Sequence, residues 1–231
     1  MRRGFTLVEL MVVVAIIGVL MALSFTAATE LSARGASQTA AADLHAALGR
    51  ARSRAAERGT TVLVLIYPTM KKDGTPTGGP GAWFLYEDVD NDFMTGGAAP
   101  ADGDRSFASF TPPATITPTG SSRDRLLEAT YLDDYPKRGV RFFVPGTPAG
   151  VSWVAPFSGI ATRADANGCS FCGGALGVIA FSPDRYARFF RADGTQAADR
   201  TQGLVLQSPR APANVHQVGL VGATGHFSFV R

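Results

Sequence analysis

The chain has 231 residues, 45% of them hydrophobic and only 18% charged, with a formal net charge of +3. That length suits one anchor plus one globular domain with a real core, and so small an excess of charge does not call for nucleic acid as a partner. The 26 glycines and 14 prolines point to a loop-rich, β-rich domain rather than a helical bundle.

At the N-terminus Arg2, Arg3 and Gly4 precede an apolar run over 5–29 whose single charge is Glu9. About 20 apolar residues span a bilayer, and a carboxylate within a span costs about 2.5–3.5 kcal/mol, so Glu9 needs a reason and a partner. A cut between Gly4 and Phe5 would place Glu9 four residues from a new α-amine, which would be that partner. An ordinary secretory signal could find small residues for its cleavage in 22–28, but its apolar stretch is shorter and carries no carboxylate at its start. A plain signal anchor fits the length and leaves the spacing of Gly4, Phe5 and Glu9 unexplained. On each of these readings Arg2 and Arg3 keep the leader cytoplasmic and the chain after residue 29 is delivered outside.

The run Arg2, Arg3, Gly4, Phe5, Thr6, Leu7, Val8, Glu9, Leu10 resembles the class III leader of type IV pilins and type II secretion pseudopilins. The resemblance implies that a prepilin peptidase cuts between Gly4 and Phe5 and methylates the amine of Phe5, and that Glu9 makes the assembly contact. It implies as partners other pilins or pseudopilins in a filament, the peptidase and an inner-membrane assembly platform. The implied location is the inner membrane, single-pass, with the N-terminus cytoplasmic before processing, the head periplasmic, and a filament after assembly. Loss of Arg2 and Arg3 with the leader would take the net charge from +3 to +1.

Residues 30–58 are rich in Ala, Leu, Arg and Glu, all good helix formers. Leu44, Ala47, Leu48, Ala51 and Ala55 mark one apolar face at helical spacing. Arg50, Arg54 and Arg58 follow at i, i+4, i+8 on another, which reads most simply as a solvated face. Gly59 suits the helix C-cap. The expected layout is a leader at 1–4, the transmembrane half of a long helix at 5–29, its periplasmic amphipathic half at 30–59, and a β-rich head at 60–231.

After Gly59 the period becomes strand-like. Apolar, β-branched or aromatic runs predict strands over 60–67, 82–88, 105–110, 139–144, 151–155, 176–182, 186–191, 203–208, 215–221 and 226–231. Turn signals separate the later ones, at 182–184, 192–195 and 222–225. The stretch 98–136 is poorer in pattern and reads as a long insertion or a lid. The expected fold class is α+β: a long N-terminal transmembrane helix packed on an antiparallel β-sheet or β-sandwich head, a pilin-like fold.

Two groups of residues carry chemistry to be weighed. Asp88, Asp90 and Asp92 alternate as the first half of a calcium loop does, but Phe93 stands where the turn needs Gly and Ala99 where a bidentate Glu should be. A solvated acidic turn is the simpler reading, and no resident cofactor is expected. Cys169 and Cys172 form a CxxC flanked by glycine. In an exported domain a disulfide is the default; zinc would need two further ligands, and His45, His216 and His226 do not lie near in sequence. A redox-active or free pair stays open, although the following 173–181 reads as loop then strand rather than helix. There is no GxSxG and no clustered histidine, so no catalytic residue is assigned; the other class of reading is an enzyme on a signal anchor.

The layout further resembles minor pseudopilins and minor pilins of the GspH/FimT type. It does so through Ala51, Arg52, Ser53, Arg54, Ala55, Ala56, Glu57 and Arg58 at the helix end, the aromatic 83–92 segment, and the Phe181, Ser182, Pro183, Asp184 turn with Arg185 where glycine is usual. Thr224 and Gly225 close the pattern, with His226 in place of arginine. The resemblance implies a structural filament subunit with a priming or tip role. Its alternative implication is a FimT-like minor pilin that captures DNA for natural transformation. DNA capture needs Lys or Arg near phosphates, and the final segment offers only His226 and Arg231.

Overall fold

The computed structural model describes residues 7–91, 93–94, 124–135, 139–142, 153, 155–160 and 168–230. One long helix, α1, the only α-helix among the described residues, runs Leu7–Arg58, 52 residues, or about 78 Å at 1.5 Å per residue. Its first 19 residues, Leu7–Phe25, have a mean hydropathy of 2.7 and bury no side chain. Its second half is a different surface: Ala36, Ala40, Ala41, Leu44, Ala47, Leu48, Ala51 and Ala55 are buried on one stripe. Alanine dominates that stripe, so the helix backbone comes close to the sheets beneath it. The helix ends where Gly59 turns left-handed at φ 69° and its N–H donates to Ala55 O at 3.0 Å.

Among the described residues nine strands follow: β1 Thr61–Tyr67, β2 Ala82–Asp88, β3 Arg125–Tyr131, β4 Arg141–Phe142, β5 Gly177–Phe181, β6 Ala187–Arg191, β7 Thr201–Ser208, β8 Ala211–Val221 and β9 His226–Val230. They form two antiparallel sheets, one in the order β3-β2-β1-β5-β6 and one in the order β4-β7-β8-β9. The fold is therefore mixed α+β, consistent with a pilin-like fold. The register of β1 runs Thr61↔Asp88 to Tyr67↔Ala82 on one side and Val62↔Phe181 to Ile66↔Gly177 on the other.

The apolar runs of β1, β2 and β5 are continuous because both faces of the first sheet are covered. Val62, Val64, Ile66, Trp83, Leu85, Ile179 and Phe181 face a core that includes the helix stripe and, from the second sheet, Leu204, Leu206, Val218 and Leu220. Leu63, Leu65, Phe84, Tyr86 and Val178 face the other way into a second core with Phe93, Leu126 and Tyr131. Trp153, Phe157 and Ile160 cover the outer face of the second sheet.

Three expectations need correction. The segment read as an insertion or lid contains β3, which pairs with β2 from Ala82↔Tyr131 to Glu87↔Arg125 across a bulge at Leu85/Tyr86. As an edge strand it is only half covered, so it shows neither an apolar run nor clean alternation. Trp153 is not in a strand; it is a buried plug against Gly203. Of the strand expected over 139–144, Arg141–Phe142 form β4, residues 139–140 precede it, and 143–144 lie outside the described residues. The strand expected over 105–110 lies outside the described residues.

Candidate functional site: the apolar helix and its joint to the head

Gly4 and Phe5 lie outside the described residues. Glu9 sits in the first turn of α1, exposed among exposed apolar neighbours such as Leu7, Val8, Leu10 and Met11. A carboxylate there suits the positive end of the helix dipole. No other charged residue occurs between Glu9 and Glu30.

The helix is fixed to the head along two opposite flanks. At about 100° per residue, Asp43, Arg50 and Arg54 fall on one flank, and His45 and Arg52 about half a turn away. On the first flank Arg50 forks onto Glu128, with Nη2 2.9 Å from Oε1 and 2.6 Å from Oε2. Arg54 donates to Glu87 Oε2 from Nη2 at 2.8 Å and Nε at 3.2 Å, and Thr60 Oγ1 donates to Glu87 Oε1 at 3.3 Å. Arg125 Nε lies 3.7 Å from the same carboxylate. Tyr135 O–H donates to Asp43 Oδ2 at 2.6 Å. On the second flank Arg52 Nη2 donates to Thr224 O at 3.1 Å, and the ring of His45 meets Phe227 edge-on at 4.8 Å. Nearer the membrane, Ser37 Oγ lies 3.3 Å from His216 Nε2 in a buried contact. The expected arginine face is thus corrected: Arg50, although exposed, and the half-buried Arg54 are paired with acids of β3 and β2, and Arg58 alone of the three forms no ion pair among the described residues.

Glu87 is the centre of this joint and was not singled out from sequence. Burial works against its charge, yet the hydrogen bonds and charge of Arg54, with Thr60 and Arg125, hold its pKa below the ordinary carboxylate value. Tyr135 moves the opposite way, because burial and the Asp43 carboxylate both disfavour its phenolate. The only sequence signal was an acid at the end of a run of buried strand residues.

The acidic group is rearranged relative to expectation. Asp88 and Asp90 are joined by Asp124, all three carboxylates within 4.8 Å of one another, while Asp92 lies outside the described residues. Asp124 Oδ1 accepts the N–H of Val89 at 2.7 Å, which pins the turn after β2. Asp88 and Asp124 are buried and Asp90 is exposed, so the group is not the fully solvated acidic turn expected. Cys169 and Cys172 are joined by a disulfide. The loop they close is laid along β7: Ser170 N–H donates to Gly203 O, Val205 N–H to Gly168 O and Gly203 N–H to Ser170 Oγ, at 2.7–3.0 Å. A strand, β5, follows it rather than a helix. His226 is exposed at the start of β9, and Arg231 lies outside the described residues.

At the membrane-distal corner the β5–β6 turn meets the β8–β9 turn. Arg185 N–H donates to Ser182 O at 2.9 Å and Ser182 N–H to Tyr186 O at 3.0 Å, with Arg185 left-handed at φ 66°. A β-carbon on Gly225 would stand 2.1 Å from Arg185 O, so only glycine admits this approach.

A family model, the prokaryotic N-terminal methylation motif, matches residues 1–25. No curated protein and no solved structure matches the chain. The N-terminus is therefore a type IV pilin-like prepilin leader, and the apolar helix behind it fits a single-pass membrane anchor. A motif of this type belongs to structural subunits that assemble with other pilins after processing by a prepilin peptidase.

Proposed function

We propose that the chain is a minor pseudopilin or minor pilin. A prepilin peptidase cuts it between Gly4 and Phe5 and methylates Phe5. It then enters a type II secretion pseudopilus or type IV pilus in a priming or tip role. The observation that carries this reading is the methylation motif at residues 1–25 standing at the start of one continuous helix whose far half is built into a β-rich head.

The mechanism follows from the two halves of α1. Before assembly the exposed apolar half lies in the inner membrane with the head on the periplasmic side. Filament growth packs such helices side by side, and Glu9 of an incoming subunit pairs with the Phe5 ammonium of a neighbour. In a hydrocarbon setting that charge-assisted contact is far stronger than in water and fixes the axial register. The head supplies the contacts that distinguish this subunit from others.

N-terminal sequencing of the mature protein tests processing: N-methyl-Phe5 is expected, and any other N-terminus defeats the reading. A Glu9→Val protein is expected to be processed and membrane-inserted but to be missing from sheared filaments. Its normal incorporation would defeat the assembly step while leaving processing intact.

A further inference from the structure

The two flanks of the helix–head joint differ in how their cations are used. On the flank of β3 the arginines at the joint meet carboxylates, Arg50 with Glu128 and Arg54 and Arg125 with Glu87. In the β1–β2 loop beyond the joint Lys72 pairs with Asp134, while Lys71 and Arg141 are exposed without an ion pair among the described residues. On the opposite flank, at the membrane-distal corner, Arg185, Arg188 and Arg200 are exposed, and none forms an ion pair among the described residues. Arg52, beside them, gives a hydrogen bond only to a backbone carbonyl. Tyr186, Arg188 and Arg200, with the single carboxylate of Asp199 among them, line a groove of about 380 Å³ between β6 and the β8–β9 turn. Tyr186 is 53% exposed, the one large hydrophobic outside the helix left so open among the described residues.

The backbone adds an independent sign. The turn ending at Arg185 needs a left-handed residue, which glycine supplies without strain. A non-glycine residue there is strained, and such strain concentrates where a side chain has work to do. Here it holds the Arg185 guanidinium on the helix side of the corner, where it lines a second cleft with Arg52 and Glu57.

We propose that this corner is the docking surface for an acidic surface of a neighbouring filament subunit, with Tyr186 and Arg188 as its anchors. Arginine and tyrosine are the residues that most often carry interface energy. Guanidiniums not committed within the subunit are complemented by carboxylates across a contact, and such pairing sets partner choice and register. A basic corner that meets an acidic surface joins two different patches, so the contact is heterologous. Heterologous contacts propagate into open helical filaments rather than closed dimers. The inference rests on the filament role proposed above and adds to it a surface and the chemistry of the partner.

The test uses the full-length chain in cells that assemble the filament, with a photo-crosslinking phenylalanine analogue in place of Tyr186 and the captured protein identified by mass spectrometry. The expected product joins Tyr186 to a subunit that itself carries a class III leader, at a peptide containing Asp or Glu. The double variant Arg188→Glu/Arg200→Glu should lower the yield about tenfold, and Arg188→Lys/Arg200→Lys should keep most of it, with processing and melting temperature unchanged in both. Arg185→Gly relieves the left-handed strain, so it should not lower the melting temperature while the crosslink weakens; a purely structural Arg185 would leave the yield as it was. Capture of nucleic acid, a glycan or a protein without such a leader overturns the inference, as does a yield indifferent to charge reversal. Filaments that take up the protein in a Glu9-dependent way but give no crosslink at Tyr186 overturn this inference alone. Absence of the protein from filaments overturns the filament role as well.

Discussion

Arg54 and Glu87 form a two-bonded ion pair, at 2.8 and 3.2 Å, that ties the last turns of the long helix to the second strand of the head. The carboxylate is almost wholly buried and the guanidinium only partly so, which makes the pair asymmetric. Removing Arg54 strands a buried charge, whereas removing Glu87 leaves a cation that water can still reach. Arg54→Ala should therefore cost more than Glu87→Gln, about 3 against about 1–2 kcal/mol. A double-mutant cycle on thermal melts checks the order; equal costs would mean that the pair is not desolvated.

The same pair predicts an acid limb. Glu87 has its pKa lowered in the folded state, so the unfolded chain binds the proton more readily. Its contribution is present above the ordinary carboxylate pKa and is lost as pH falls through the lowered folded value. Wild-type stability should fall with decreasing pH below about 4.5, and Glu87→Gln should flatten that limb. Melting curves of both proteins between neutral pH and pH 3 measure it, and parallel slopes would exclude Glu87 as the source.

Reduction of the Cys169–Cys172 bridge should have a modest effect, because the loop it closes is short. Chain-entropy arguments give about 1.5–2 kcal/mol for a loop of three or four residues, a few degrees in melting temperature for a domain of this size. Cys169→Ser/Cys172→Ser should show the same shift as a reductant does. A much larger loss would mean that the loop's backbone bonds to Gly168, Ser170 and Gly203 collapse with the bridge.

Two glycines make opposite predictions. Gly225→Ala sets a β-carbon against Arg185 O at a left-handed residue, and should destabilise by about 2–4 kcal/mol. Gly35→Ala, in mid-helix with open space around its β-carbon position, should stabilise by about 0.5–1 kcal/mol. Paired melts of the two variants check both signs at once.

Local physics governs what could be read from sequence. The helix was legible to its last residue because Leu44, Leu48, Ala51 and Ala55 recur at 3.6-residue spacing and Gly59 stops them. β1, β2 and β5 were legible because burial on both faces forces unbroken apolar runs. The edge strand β3 was not, since Glu128 and Thr130 reflect its partners rather than a pattern. The joint was hidden for a related reason: Arg54 finds Glu87 33 residues away and Arg50 finds Glu128 78 residues away. No periodicity reports such distant pairing. Asp124 likewise joins Asp88 and Asp90 only through the pairing of β2 with β3. The leader was legible because its information lies in adjacent residues.

The placement of Arg50, Arg52 and Arg54 has a mechanical consequence. These three side chains lie within little more than one turn of helix, and they grip β3, the β8–β9 turn and β2 on both sides of its axis. A pull on the head along the helix is then shared by all three attachments at once, in shear, instead of being peeled through them one after another. Load applied far from the membrane reaches the anchor undivided, and the helix cannot roll out of its seat without breaking bonds on two sides together.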